Sequence, residues 1–351
     1  MDIIVDALCN MHSHLREGDV MLDLVKKSYE GGVDVLLPMP NTSEGLTTCD
    51  GVIKYINELK QVAPNLSMTF IPTLMINERT TVEEIFRCVN SGVCDAKIYP
   101  LNRTTKSHNG VRDYSRLVPL IQYCGRVGMR VHFHPEHPWM LFGNRDAEFV
   151  FLTIVDMFLR ETNTTIIWEH GTDARCVPFW KEMAQTGRFF VTLTAHHLAT
   201  DEDETFGDVR SVCKPSIKTK FDQQSLLALV AEDYEWVMAG ADDAPHDRVN
   251  KHVHEGKCAC GAYTAPFALQ LYAHALDPIL NQEQKGYETF LNFTSRNARK
   301  LYNLPPASRR FELSLEPFKI PEHHQLGSWI VEPFWANQNL KYSLNEVVVQ
   351  V

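Results

Sequence analysis

Val5-Asp6-Ala7-Leu8-Cys9-Asn10-Met11-His12-Ser13-His14 is a mostly apolar run that breaks into a His-x-His pair. A run this short and apolar reads as a strand with both faces buried, and the polar residues after it mark where the strand leaves the core. The same pattern recurs along the chain. Strand candidates at 6–11, 33–39, 67–74, 94–99, 130–134, 165–169, 189–194 and 236–240 alternate with segments of helical spacing such as 21–29 and 148–160. Eight β-α units in series predict an α/β fold, a (β/α)8 TIM barrel. The connections after these strands are richer in His, Arg, Asn, Thr and Asp than the connections before them. In parallel barrels the loops after the strands build the active face, so function is expected there.

A chain of 351 residues suits one such barrel. Residues 1–303 are expected to form it, with helices from Gly261 onward. Residues 304–351 are expected to form a Pro-rich C-terminal extension packed on the barrel, ending in short alternating runs. Hydrophobic residues at 44% and charged residues at 22% are ordinary globular usage. The net charge of −10, with no Lys/Arg cluster, lacks the footprint of a nucleic-acid binder. No basic start precedes an apolar stretch and no run of about 18 apolar residues occurs, so neither export nor a membrane span is expected. Nine scattered cysteines fit a reducing, cytoplasmic setting.

His12 and His14 alternate along a strand end, so both imidazoles project to the same side, where two neutral rings can clamp a divalent cation. Alone, the pair reads more readily as histidines that are exposed or satisfied in other ways. Lys97 lies in the apolar stretch Cys94-Asp95-Ala96-Lys97-Ile98-Tyr99, where an unpaired ammonium is expensive to bury. Either it reaches solvent, or the free amine captures carbon dioxide as a carbamate that can bridge two metals. His134 and His170 close the fifth and sixth strands, with His132 competing for the role of His134. Asp242 follows the eighth strand and could bind metal and accept a proton; Asp243 beside it competes. Cys258, Cys260, His252 and His254 fit no common zinc spacing.

His12-Ser13-His14-Leu15-Arg16, Met39-Pro40-Asn41, Lys97-Ile98-Tyr99-Pro100, Trp168-Glu169-His170 and Asp242-Asp243-Ala244-Pro245-His246 occur in this order. With them the chain resembles the dihydroorotases of the amidohydrolase superfamily, most closely the short stand-alone type. The resemblance runs from about residue 3 to the C-terminus and takes in Leu193-Thr194-Ala195-His196-His197-Leu198 and Cys213-Lys214-Pro215. It implies two zinc ions. His12, His14, carboxylated Lys97 (N6-carboxylysine) and Asp242 hold one, Lys97, His134 and His170 hold the other, and a hydroxide bridges them. It implies that Asp242 shuttles the proton, that Arg16, Asn41 and His246 bind the substrate carboxylate, and that Thr104 and Thr105 sit on a loop closing over the substrate. Cys260 is a weaker contact candidate, and Lys214 stands where some relatives carry an apolar residue.

The reaction so implied is the reversible cyclisation of N-carbamoyl-L-aspartate to L-dihydroorotate in pyrimidine synthesis, by a cytoplasmic homodimer. Two rival readings stand beside it: a related cyclic amidohydrolase of the hydantoinase, dihydropyrimidinase or allantoinase type, and a barrel that has lost catalysis and serves binding.

Overall fold

The computed structural model describes residues 3–252 and 256–347. Its strands are β1 (Ile3–Asp6), β2 (Leu8–Ser13), β3 (Val33–Pro38), β4 (Thr69–Phe70), β5 (Thr73–Ile76), β6 (Asp95–Ile98), β7 (Arg130–Phe133), β8 (Ile166–Trp168), β9 (Phe189–Leu193) and β10 (Val237–Ala239), followed by β11 (Arg310–Ser314), β12 (Phe318–Lys319), β13 (His324–Leu326), β14 (Trp329–Val331), β15 (Asn339–Leu340) and β16 (Ser343–Val347). β2, β3 and β4 pair in parallel, and β5 to β10 pair in parallel in chain order. Backbone bonds close the ring. Asp242 N–H donates to His12 O at 3.0 Å and His14 N–H to Asp243 O at 2.8 Å. This is the expected TIM barrel, with helices between the strands.

Two strand expectations are corrected. The first, 6–11, straddles a change of partner: Ala7 N–H donates to Arg309 O, while Leu8 N–H donates to Gly32 O. β1 therefore belongs to an antiparallel sheet with β11 and β16 outside the barrel, and the barrel strand starts at Leu8. The third, 67–74, is two pieces. Ile71 N–H still reaches Leu36 O on β3, but Pro72 has no N–H to continue that ladder, and β5 then pairs with β6.

Local chemistry explains the helices between strands. Thr48, Thr81 and Thr194 each accept a backbone N–H at a helix start, and Thr219 with Asp222 forms a reciprocal capping box. The helices Met21–Glu30 and Ala147–Glu161 fall within a residue of their expected bounds. All residues of β8 are buried, as expected of a parallel strand covered on both faces. Outside the ring of strands, Phe133, Phe151, Phe158, Trp168 and Trp180 pack edge-on, tilted or stacked against one another. Inside it, Cys9, Met11, Val35, Leu37, Ile71 and Met238 form a separate apolar plug with Tyr302. The register of β2 on β3 slips between Asn10 and Ser13, just where the strand delivers His12.

Candidate active site

Each candidate side chain stands at the C-terminal end of a barrel strand. His12 lies within β2, His14 just after it and Lys97 within β6; His134, His170 and Asp242 follow β7, β8 and β10. His12, His14, His134, His170 and Asp242 border one pocket, and Lys97 is fully buried. His12 Nε2 and His14 Nε2 are 3.4 Å apart and lie 3.2 and 3.3 Å from Asp242 Oδ1. The His170 ring is centred 5.0 Å from that of His12 and 4.6 Å from that of His134. His170 is buried, and neither of its ring nitrogens has a hydrogen-bond partner. An orphaned buried imidazole beside three converging donors is costly unless something else occupies the centre. The donor set is compatible with a metal cofactor.

The backbone is bent to make this arrangement. Arg16, His170 and Asp242 have φ of 53°, 41° and 50°, left-handed values that cost non-glycine residues energy and that concentrate at functional sites. Gly240 gives the room: a Cβ there would lie 3.0 Å from Thr192 Cβ and 3.4 Å from His12 Cβ.

Burial dominates the electrostatics. It pushes the His12 imidazole down to about 3 and lowers those of His14, His134 and His170, so all four rings are neutral at pH 7, the state in which they ligate metals. Burial alone would raise the Asp242 carboxyl, but the facing imidazoles, His12 first, hold it well below the usual range. Lys97 is fully buried, and burial lowers its amine well below the ordinary value. Solvent is not available to it, which removes one of the two readings of this residue.

On the opposite wall, Arg16 donates through Nε and Nη2 to Pro245 O, at 3.1 and 2.9 Å, and Nη2 lies 3.4 Å from His246 Nε2. His246 Nε2 reaches Cys260 O at 2.9 Å, Thr105 Oγ1 donates to the same oxygen at 3.3 Å, and Asn41 Nδ2 donates to Thr105 O at 3.2 Å. Thr104 also lines the pocket, held by Ser107 Oγ, which accepts from its N–H at 3.1 Å. The loop 101–110 thus lies against the wall that carries Arg16 and Cys260.

In both open pairs the two candidates differ in their partners. Asp243 accepts from Asn10 Nδ2 at 2.7 Å, from Thr264 N–H at 3.2 Å and from the Thr264 hydroxyl, which ties it into the barrel and away from the pocket. His132 sits deeper than His134, with Nδ1 2.8 Å from Glu169 Oε1 and Nε2 3.0 Å from Asp95 Oδ1. His252 pairs with Glu332 at 2.9 Å, and His254 lies outside the described residues.

The sequence reading missed Tyr99 and the wall position of Lys214, both of which line the pocket, and two buried carboxylates. Glu136 Oε2 is 2.8 Å from His134 Nε2, and Glu169 Oε2 is 3.0 Å from His12 Nδ1 and in contact with Lys97 Nζ. Glu169 directly precedes His170, and a carboxylate inside an apolar run was the available signal for it. His196, His197 and Cys213 also bring donor atoms together. There His197 Nε2 and Cys213 Sγ both donate to Pro215 O, at 3.1 and 3.2 Å, while neither ring nitrogen of the buried His196 has a hydrogen-bond partner.

Comparison with known proteins places these observations. No family model matches the chain. A dihydroorotase of Vibrio cholerae is 31% identical, with 95% of this chain and 96% of the relative covered. A probable dihydroorotase of Schizosaccharomyces pombe is 29% identical, with 97% and 98% covered. The crystal structure of Saccharomyces cerevisiae dihydroorotase in complex with 5-fluoroorotic acid superposes with a TM-score of 0.90 at 27% identity, covering 98% of this chain and 99% of that one. The L-hydantoinase of Arthrobacter aurescens shares the fold, with a TM-score of 0.81 at 14% identity over 98% of this chain and 84% of that one.

Proposed function

The chain belongs to the dihydroorotase family, and from that premise we propose that it interconverts N-carbamoyl-L-aspartate and L-dihydroorotate as a zinc-dependent cyclic amidohydrolase with two metal ions per chain. The observation that carries this reading is the convergence of His12 Nε2, His14 Nε2 and Asp242 Oδ1 within 3.2 to 3.4 Å of one another, facing the neutral His134 and His170 across one pocket.

His12, His14, Lys97 and Asp242 would hold one cation, and Lys97, His134 and His170 the other. Such cations supply Lewis-acid polarisation of the ring carbonyl and activation of water. Burial of Lys97 favours the free amine, the form that adds to carbon dioxide, releasing one proton and forming N6-carboxylysine; the buried group thereby becomes an anion that two cations offset. In ring opening, Asp242 takes the proton of the attacking water and delivers it to the leaving amide nitrogen. In ring closure it runs the transfer in reverse.

Arg16, Asn41 and His246 would bind the substrate carboxylate, with Arg16 offering the free edge of its guanidinium. This gives an acidic protein its local positive charge for an anionic substrate. Thr104, Thr105 and the Cys260 carbonyl would bound the ring from the loop side and exclude water. The 5-fluoroorotic acid of the yeast complex, a carboxylated pyrimidine ring, supports this assignment. By family likeness we propose a homodimer acting in the cytoplasm, with neither nucleic acid nor membrane as partner. Among the described residues no helix is long and apolar enough to cross a membrane.

The test is turnover of dihydroorotate, hydantoin, dihydrouracil and allantoin by metal-replete protein, with divalent ions counted per chain. Rapid turnover of dihydroorotate with about two ions per chain is expected. Turnover of hydantoin but not dihydroorotate overturns the substrate assignment, and fewer than one ion per chain in protein prepared without chelator overturns the metal reading.

A further inference from the structure

A continuous chain of buried polar groups runs through the barrel from one end to the pocket. Arg130, the first residue of β7, donates to Asp95 through Nε and Nη2 at 2.8 and 2.6 Å, and its guanidinium lies 4.2 Å over the Tyr302 ring. Asp95 Oδ1 is 3.0 Å from His132 Nε2, His132 Nδ1 is 2.8 Å from Glu169 Oε1, and Glu169 Oε2 is 3.0 Å from His12 Nδ1. Tyr302 Oη flanks the middle of the chain, 3.3 Å from His132 Nε2. Asp95, His132, Glu169 and His12 are each at most 1% exposed. Only Arg130 reaches solvent.

A buried network of this kind contributes little to stability compared with apolar residues of the same volume. Its members must all be satisfied, and such networks specify one arrangement of their atoms. A proton must lie in each gap at 2.8 to 3.0 Å, so either His132 carries both of its N–H groups or one of the carboxyls facing it is protonated. Arg130 anchors Asp95, Asp95 orients His132, and His132 turns Glu169 so that Oε2 lies 3.0 Å from His12 Nδ1. With its proton on Nδ1, His12 would face this oxygen with that N–H and turn the lone pair of Nε2 into the pocket. The same Oε2 touches Lys97 Nζ, so one oxygen locates side chains from β2 and β6.

We infer that Glu169, set by His132 and Asp95, is a positioning residue that fixes the tautomer of His12 and the place of Lys97, and so builds the metal pocket before any cation arrives. Carboxylates behind a ligating imidazole act in this way on metal affinity, typically by 10- to 100-fold. The inference rests on the metal reading above, and its test separates the two.

The test compares wild type, Glu169→Gln and Asp95→Asn in metal-free form, by zinc titration against a chromophoric chelator and by 15N spectra of labelled histidines. Glutamine keeps the shape, but its amide must donate to one of the two imidazoles. Glu169→Gln is therefore expected to weaken zinc binding by about 10- to 100-fold and to move the His12 proton from Nδ1 to Nε2. Asp95→Asn, remote from the pocket, is expected to give the same changes in weaker form. If Glu169→Gln does not fold, Asp95→Asn decides alone. Wild-type zinc affinity together with an unchanged His12 tautomer in the folded variants overturns the inference. Should wild type itself bind no zinc, the metal reading fails, and the tautomer shift still decides the positioning role.

Discussion

Arg16 gives both Nε and Nη2 to a single acceptor, the carbonyl oxygen of Pro245, at 3.1 and 2.9 Å. The guanidinium is thus held along one edge by backbone that follows the last barrel strand, and its other edge is presented to the pocket. Lysine has no planar fork and cannot make both contacts. Arg16→Lys is expected to raise the KM for dihydroorotate by about 10- to 100-fold, the equivalent of losing one charge-assisted hydrogen-bond pair. Steady-state kinetics check this, and an unchanged KM would show that the carboxylate binds elsewhere.

Lys97 is fully buried against Glu169. Lys97→Ala removes the group proposed to bridge both cations, so bound metal is expected to fall from two ions per chain to at most one. Turnover is expected to drop by about a thousandfold or more, since several kcal/mol of charge stabilisation disappear with the metal. Metal analysis and initial rates check both parts. Partial recovery with acetate, which can enter the vacated space as a carboxylate, separates loss of the bridge from collapse of the barrel.

Gly261 sits where no side chain fits. A Cβ at this position would lie 2.4 Å from Ala244 O and 2.6 Å from Ala244 Cβ, in a wall of the same pocket. Gly261→Ala must therefore push apart the two segments that carry Cys260 and Asp242. The expected result is a melting temperature lower by a few degrees, from a cost of about 1 to 3 kcal/mol. A KM for dihydroorotate raised about tenfold should accompany it. A calorimetric scan and kinetics on the same sample check it, and a neutral substitution would mean that the wall yields freely.

Burial holds His196 at about 4 and His246 at about 3, against 6.5 for an exposed imidazole. His246 faces Arg16 and the Cys260 carbonyl, and His196 packs its ring 4.3 Å from that of His197. Both are neutral when folded and take up a proton on unfolding, so the unfolded state binds more protons between the folded and unfolded values. Their contribution is complete above about pH 6.5 and is lost as pH falls towards 4 and then 3. Asp243, pushed up to about 6 by burial, acts oppositely and weakens the fold as pH rises through that value. His12, held at about 3, and His324, held at about 4, act in the same sense as His196 and His246, and the imidazoles together outweigh the carboxyl. The stability of metal-free protein is expected to fall between pH 6.5 and 4.5, by up to about 1.4 kcal/mol per pH unit for each imidazole. Urea denaturation at a series of pH values measures it, and a flat profile would show these rings protonated in the folded state.

What the sequence by itself determined is the barrel and the chemical character of its open end. Apolar runs of strand length, separated by helical spacing and ended by His12, His14, Lys97, His134, His170 and Asp242, carry that information locally, because burial on both faces of a strand selects its residues one by one. The choice between neighbours was not local. Asp242 rather than Asp243 faces the pocket because Asn10, 233 residues away from Asp243, and Thr264 engage the second carboxylate. His134 rather than His132 lines it because Asp95 and Glu169 take both nitrogens of His132. The exchange of β1 into the outer sheet, the break at Pro72 and the roles of Glu136 and Glu169 have the same origin. Hydrogen-bond partners distant in the chain are chosen only when packing brings their strands together, and no periodicity in the sequence records which of two adjacent polar side chains will be claimed first.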